Sequence, residues 1–185
     1  MKRLSVAAIV IILSSSLTVS AENWSRWRGP HNTGMANGDA PLTWSATENV
    51  KWTRDIPGRG HSTPVIWGNK IFLTTAVPTE PLAEASSAGR AGGGAAAGTE
   101  HKLLVMAFHR NTGEKLWEQN PVTVKPHEGY HRRYGSFASN SPVTDGERLY
   151  AFFGSRGIFA YDLDGNRQWE KDYGVEMRMV MSFGE

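Results

Sequence analysis

From His61 onward the chain alternates short apolar or aromatic runs with glycine-bearing turns, and it does so twice in the same order. The stretch "HSTPVIWGNKIFLTT" from His61 lines up without a gap on "SNSPVTDGERLYAFF" from Ser139. Pro64 falls on Pro142, Val65 on Val143, Gly68 on Gly146, Ile71 on Leu149 and Phe72 on Tyr150. Further along, "AFHRNTGEKLWE" from Ala107 matches "AYDLDGNRQWE" from Ala160, with one residue deleted in the turn. The runs are short and rich in β-branched and aromatic side chains. The intervening "WGN", "DGE", "NTGE" and "DGN" are hairpin signals, because Gly and Asn tolerate positive φ. Each unit therefore predicts strand, tight turn, strand, loop, strand, glycine turn, strand.

Four strands per unit of roughly 45 to 50 residues is the period of a β-propeller blade. A two-sheet sandwich would also be all-β, but its sheets do not repeat one another in sequence. The expected fold class is thus all-β, with about two four-stranded antiparallel propeller blades, at 62–119 and 139–171. Trp52, in "NVKWTR", stands ahead of the first unit as Trp117 and Trp169 stand at the ends of theirs. That placement predicts a closing strand near 50–54, which would supply the outer strand of a last blade and so remove an exposed edge. A Trp suits the end of an outer strand, since its ring covers apolar surface on the next blade while the indole N–H reaches a carbonyl.

The first residues obey a different pattern. Lys2 and Arg3 precede an apolar run from Leu4 to Leu13, a Ser-rich stretch and Val19-Ser20-Ala21, which predicts a secretory signal peptide over 1–21, cut after Ala21. Ten apolar residues fall well short of the roughly 20 that span a bilayer. Export changes the charge balance: of 20 Lys and Arg against 18 Asp and Glu, two basic residues leave with the leader, and the mature chain is near neutral. With no basic patch interleaved with aromatics, nucleic acid is excluded as a partner. The absence of cysteine excludes disulfides, thiolate metal sites and a lipidated cysteine. A soluble periplasmic or secreted protein is expected, without membrane insertion after cleavage. Residues 22–49 read as an N-terminal extended segment, and 50–185 as the partial propeller. Within it, 78–100 is an Ala/Gly/Ser-rich insertion expected as a disordered surface loop, and 172–185 leads toward a third blade.

The unit ending resembles the tryptophan-docking motif of the PQQ-like β-propeller repeat proteins, Ala-x-Asp-x-x-Thr-Gly-x-x-x-Trp. Ala107, Thr112, Gly113 and Trp117 match it in place, with His109 where Asp is usual; the second copy keeps Ala160, Asp162, Gly165 and Trp169. The opening "WSRWRGP" from Trp24 is similar to the start of exported bacterial members, so the resemblance covers Trp24 to Glu185. It implies propeller blades and an N-terminal fragment of a ring of seven or eight of them. It is weaker for activity, since many proteins with these repeats bind no quinone.

Antiparallel strands send alternate connections to opposite ends of a blade. The loop between second and third strands and the links between blades therefore share one end, which is basic and His-rich. Blade links carry Arg59 and His61 in "PGRGHS", and His127, Glu128, Tyr130, His131, Arg132 and Arg133 in "KPHEGYHRRYGS"; Arg156 lies in the "GSRG" loop. Arg59 and Arg156, set beside glycines, can hold a carboxylate or phosphate through charge-assisted hydrogen bonds, or can bond neighbouring carbonyls. His127 and His131 have a spacing that would serve a metal on a helix, but "PHEGY" is a loop, so no metal site is expected. Candidate partner-face residues are Arg59, His61, His127, His131, Arg132 and Arg156. Trp52, Gly113, Trp117, Gly165 and Trp169 are structural. No nucleophile–base arrangement or phosphate loop is readable. The leading expectation is a non-catalytic propeller that presents this end to a protein, peptide or glycan partner, with no cofactor. The alternative implied by the resemblance is the first part of a quinoprotein dehydrogenase that uses PQQ and calcium to oxidise alcohols or sugars.

Overall fold

The computed structural model describes residues 22–38, 40–81, 98–127, 129–130 and 134–176. The expected leader, most of the insertion and the last residues lie outside them, as do Glu128, His131, Arg132 and Arg133. The described chain is all-β. β1 (Val65–Trp67), β2 (Lys70–Pro78), β3 (His101–His109) and β4 (Lys115–Val124) form one antiparallel sheet in sequential order. β5 (Val143–Thr144), β6 (Arg148–Phe152), β7 (Ile158–Asp162) and β8 (Arg167–Lys171) form the second in the same way. A single three-residue 3-10 turn, Gly154–Arg156, lies in the β6–β7 loop.

Repeated residues take repeated registers. Val65 pairs with Phe72 as Val143 pairs with Tyr150, and Phe72 pairs with Ala107 as Tyr150 pairs with Ala160. Ala107 pairs with Trp117 as Ala160 pairs with Trp169, and the pairing slips next to that alanine in both sheets. Because side chains alternate across a strand, each register fixes which residues reach the neighbouring sheet. Phe72, Ala76, Leu103, Val105 and Ala107 of the first sheet meet Leu149, Ala151, Phe159 and Tyr161 of the second in one buried cluster. The intervening residues Leu104, Met106 and Phe108 turn the other way and are covered with the help of Ile56.

Trp117 joins the two sheets. Its ring lies 5.8 Å from Phe72 and 6.1 Å from Tyr161, and its indole N–H donates to the Leu163 carbonyl in the β7–β8 turn at 3.1 Å. Gly165, at φ +89°, lies directly beneath: a Cβ there would stand 2.7 Å from the Trp117 ring. Trp52 repeats this one sheet earlier. Its indole donates to the Arg110 carbonyl at 2.9 Å, over Gly113, where a Cβ would meet the ring at 2.6 Å. Residues 50–54, expected as a closing strand, form no strand; Trp52 nonetheless stacks on the β3–β4 turn as Trp117 stacks on the β7–β8 turn.

The N-terminal segment covers part of the outward edges of β1 and β5. Trp24 and Ile66 exchange both backbone hydrogen bonds at 2.8 Å, the Asn23 side chain accepts from Gly68 N–H, and the Ser25 carbonyl accepts from Thr144 N–H. Three consecutive residues thus tie the first strands of both sheets, satisfying backbone groups that would otherwise stand unpaired. No helix among the described residues is long and apolar enough to cross a membrane.

Candidate functional site

The end of β2, the start of β3, the described part of the β4–β5 link, the β6–β7 turn and the approach to β1 lie at one end of the sheets, because the strands alternate in direction. Arg59 is held there by its backbone. Its N–H donates to the Ala76 carbonyl at 2.9 Å and its carbonyl accepts from Ala76 N–H at 3.0 Å, extending the β2 edge beyond β1. This pairing aims the half-buried side chain over the end of the first sheet, where its guanidinium lies 5.1 Å from the Tyr130 ring centre. At that distance the cation meets the negative face of the ring.

Beneath Arg59 is a cavity of about 260 Å³, lined by Ala76, His101, Tyr130, Ser136 and Phe137 as well as Arg59 itself. His101, the first residue of β3, is 2% exposed. Its Nδ1 lies 2.8 Å from the Thr99 carbonyl, an acceptor only, so Nδ1 carries the proton and donates. Burial pushes its pKa below 6.5, opposed by the hydrogen bond to Thr99. The ring is therefore neutral near pH 7, and Nε2 is left as an acceptor. Phe137 packs edge-on against His101 and against Tyr130, both at 4.8 Å. Ser136 is fully buried; its hydroxyl accepts from Ala138 N–H at 3.2 Å.

The other expected residues are dispersed. The exposed His61 is anchored by its backbone N–H, which donates to the Ala138 carbonyl at 3.2 Å. An Arg156 guanidinium nitrogen approaches Nδ1 of His127 to 3.5 Å, and Arg156 lines a different cavity, of about 460 Å³, with Val124, Phe159 and Glu170. Arg59 and Arg156 therefore serve different cavities. His131 and Arg132 lie outside the described residues. Among the described residues no three His, Asp or Glu side chains come together to hold a metal ion.

His101 was not among the sequence candidates. Its signal was faint: one polar ring, followed by Lys102, at the head of the apolar run "LLVMAF", next to an insertion. No protein-family model matches the chain, and no curated protein matches it in sequence.

Proposed function

We propose that the chain belongs to an exported PQQ-like β-propeller repeat protein that binds a protein, peptide or glycan partner at its loop-rich end without catalysis. The blade reading is supported by the two equivalent tryptophan–glycine stacks, Trp52 on Gly113 and Trp117 on Gly165. In that reading the two sheets are neighbouring blades of a ring of seven or eight. Trp169, 43% exposed, offers the next turn the ring that Trp117 offers the β7–β8 turn. Export is supported by the leader-like pattern of residues 1–21.

The binding reading rests on one observation: the loop-rich end carries a concave cavity that combines a cation, aromatic walls and a neutral imidazole. Small-molecule and peptide-end sites have this composition, apolar walls with a few placed polar groups. The dehydrogenase alternative requires a calcium site built from carboxylates and amides.

The decisive experiment uses purified full-length protein. Quinone and calcium are added, and dye reduction is followed with alcohols and sugars; in parallel the protein is applied to an array of soluble peptides and glycans. The proposal expects no turnover, and specific array binding that is lost when Arg59, His61 and Arg156 are changed together to Ala. Turnover on reconstitution would reject it.

A further inference from the structure

We propose that Asn37 is a self-modification site: it deamidates through Gly38 to an aspartyl or isoaspartyl residue, and the carboxylate so formed unfastens the N-terminal segment from the two sheets. This goes beyond the binding reading above and does not depend on it.

Of the asparagines in the chain, Asn37 alone precedes a glycine. Deamidation of this kind begins when the backbone nitrogen of the next residue attacks the side-chain carbonyl carbon, so that nitrogen must be reachable. A side chain on the next residue obstructs the approach, and glycine has none. The fold leaves Gly38 open as well: a Cβ there would meet nothing within 4 Å, and Asn37 and Gly38 are both exposed and outside any strand. The two Asp-Gly pairs, which reach the same cyclic imide from the acid, are held instead. Gly146 lies under Trp67 and Gly165 under Trp117, while Asp145 engages the Tyr150 hydroxyl and Asp164 the Lys70 ammonium.

The reaction balances with water as its other reactant. The Gly38 nitrogen gives its proton to solvent and bonds to Cγ of Asn37, Nδ2 takes up a proton and leaves as ammonia, and a cyclic imide remains. Water then opens the ring. Breaking the bond from the Gly38 nitrogen to Cγ gives Asp, and breaking its bond to the backbone carbonyl carbon gives isoaspartate. Either way the amide has become a carboxylate.

The consequence falls on Glu22. Its half-buried carboxylate accepts from the Asn37 backbone N–H at 2.9 Å and from Asn37 Nδ2 at 3.2 Å. Deamidation removes the second donor and sets an anion in its place, where two like charges repel. The next residues, Asn23, Trp24 and Ser25, are those that bond Gly68, Ile66 and Thr144 at the first hairpins of the two sheets. Glu22 is also the first residue of the expected mature chain, and chain ends that are not tied down fray. Once Glu22 lets go, fraying runs into that tie and uncovers the β1 and β5 edges to pairing with another strand.

The test incubates purified full-length protein in mildly alkaline buffer and samples it by peptide mass spectrometry and hydrogen exchange. Conversion is expected at Asn37 ahead of every other asparagine, as a mixture of Asp and isoaspartate. Gly38→Ala should slow it at least about tenfold by placing a Cβ in the path of attack. Exchange of the Gly68, Ile66 and Thr144 amides should be about three- to tenfold faster in the aged protein and in Asn37→Asp, the effect of one charge-assisted contact at a partly exposed site. Glu22→Gln added to Asn37→Asp should return those amides to the wild-type rate, because the Gln amide donates to the new carboxylate while its oxygen keeps the Asn37 backbone contact. An Asn37 that converts no faster than the other asparagines would overturn the modification site. Unchanged exchange of the three amides in both the aged protein and Asn37→Asp, or a Glu22→Gln change that restores nothing, would overturn its hold on the N-terminal segment.

Discussion

Trp117 and Trp169 occupy the same place in their sheets, paired with Ala107 and Ala160 beside the same slip in register, yet their surroundings differ. Trp117 lies between the two sheets, bonded to the Leu163 carbonyl and stacked on Gly165. Trp169 is 43% exposed, and its ring contact among the described residues is Tyr150 of its own sheet, at 5.9 Å. The difference shows that the strand merely presents the indole; its energetic role comes from the turn of the adjoining sheet.

The first hairpins of the two sheets differ in a related way. The aligned positions are Trp67 and Asp145. Trp67 reaches across and lies over Gly146 in the second sheet. Asp145 instead ties down its own turn, accepting from the N–H groups of Glu147 and Arg148 and from the Tyr150 hydroxyl. One position thus holds sheets together in the first unit and secures a hairpin in the second.

The widest separation between the two tryptophans should appear on truncation. Trp117→Ala is expected to cost roughly 3 to 5 kcal/mol in urea unfolding, because it empties a space between packed sheets. Trp169→Ala should cost less than about 1 kcal/mol, as exposed positions do. Equal losses would break the comparison. Gly165→Ala sharpens it: a side chain at φ +89° is strained and meets the indole, so about 1 to 3 kcal/mol should be lost. In a Trp117→Ala background part of that cost should vanish, giving a coupling energy above roughly 0.5 kcal/mol in a double-mutant cycle.

The remaining effects concern pH and are smaller. His101 belongs to the first sheet and has a lowered pKa because it is buried. The unfolded chain then binds the proton more readily than the folded one. The contribution of His101 is complete above pH 6.5 and declines as pH falls from there through its lowered folded value. Melting temperatures measured across that window should fall with acidity in the wild type and level out in His101→Phe. In the second sheet the Tyr150 hydroxyl and then Arg148 N–H hold the Asp145 carboxyl at about 2. Its contribution should persist above pH 3.8 and fade as pH drops through about 2, and Tyr150→Phe should weaken that acid dependence slightly. This effect is expected to be the smallest, because the carboxylate is exposed and screened by solvent.

Much of the fold was legible in the residues themselves. The Gly68 and Gly146 turns, the alternation along "KIFLTT" and "RLYAFF", and the repeated Ala and Trp announced four strands per unit and their common register. Gly113 and Gly165 could be read as turn glycines. That each also bears an indole from the preceding segment depends on residues far away in the chain. The candidate site was less legible. Arg59 and the loop-rich end followed from strand alternation, but His101 did not, since one histidine heading an apolar strand has no periodicity to betray it. Arg156 and Arg59 looked alike beside their glycines and proved to serve different cavities.

Local chemistry therefore determined the strands, the turns and the side of the sheet each residue occupies, because period-two alternation and glycine's positive φ act within a few residues. Tertiary structure alone decided which edge Asn23–Ser25 would cover, whether residues 50–54 would form a strand, and what surrounds His101. Backbone pairing of Trp24 with Ile66 uses groups that every residue carries, so no side-chain pattern could announce it. The His101 environment arises where Thr99, just ahead of β3, meets Tyr130 and Phe137 from the β4–β5 link. Desolvation is a property of that convergence, which exists only once the loops have packed.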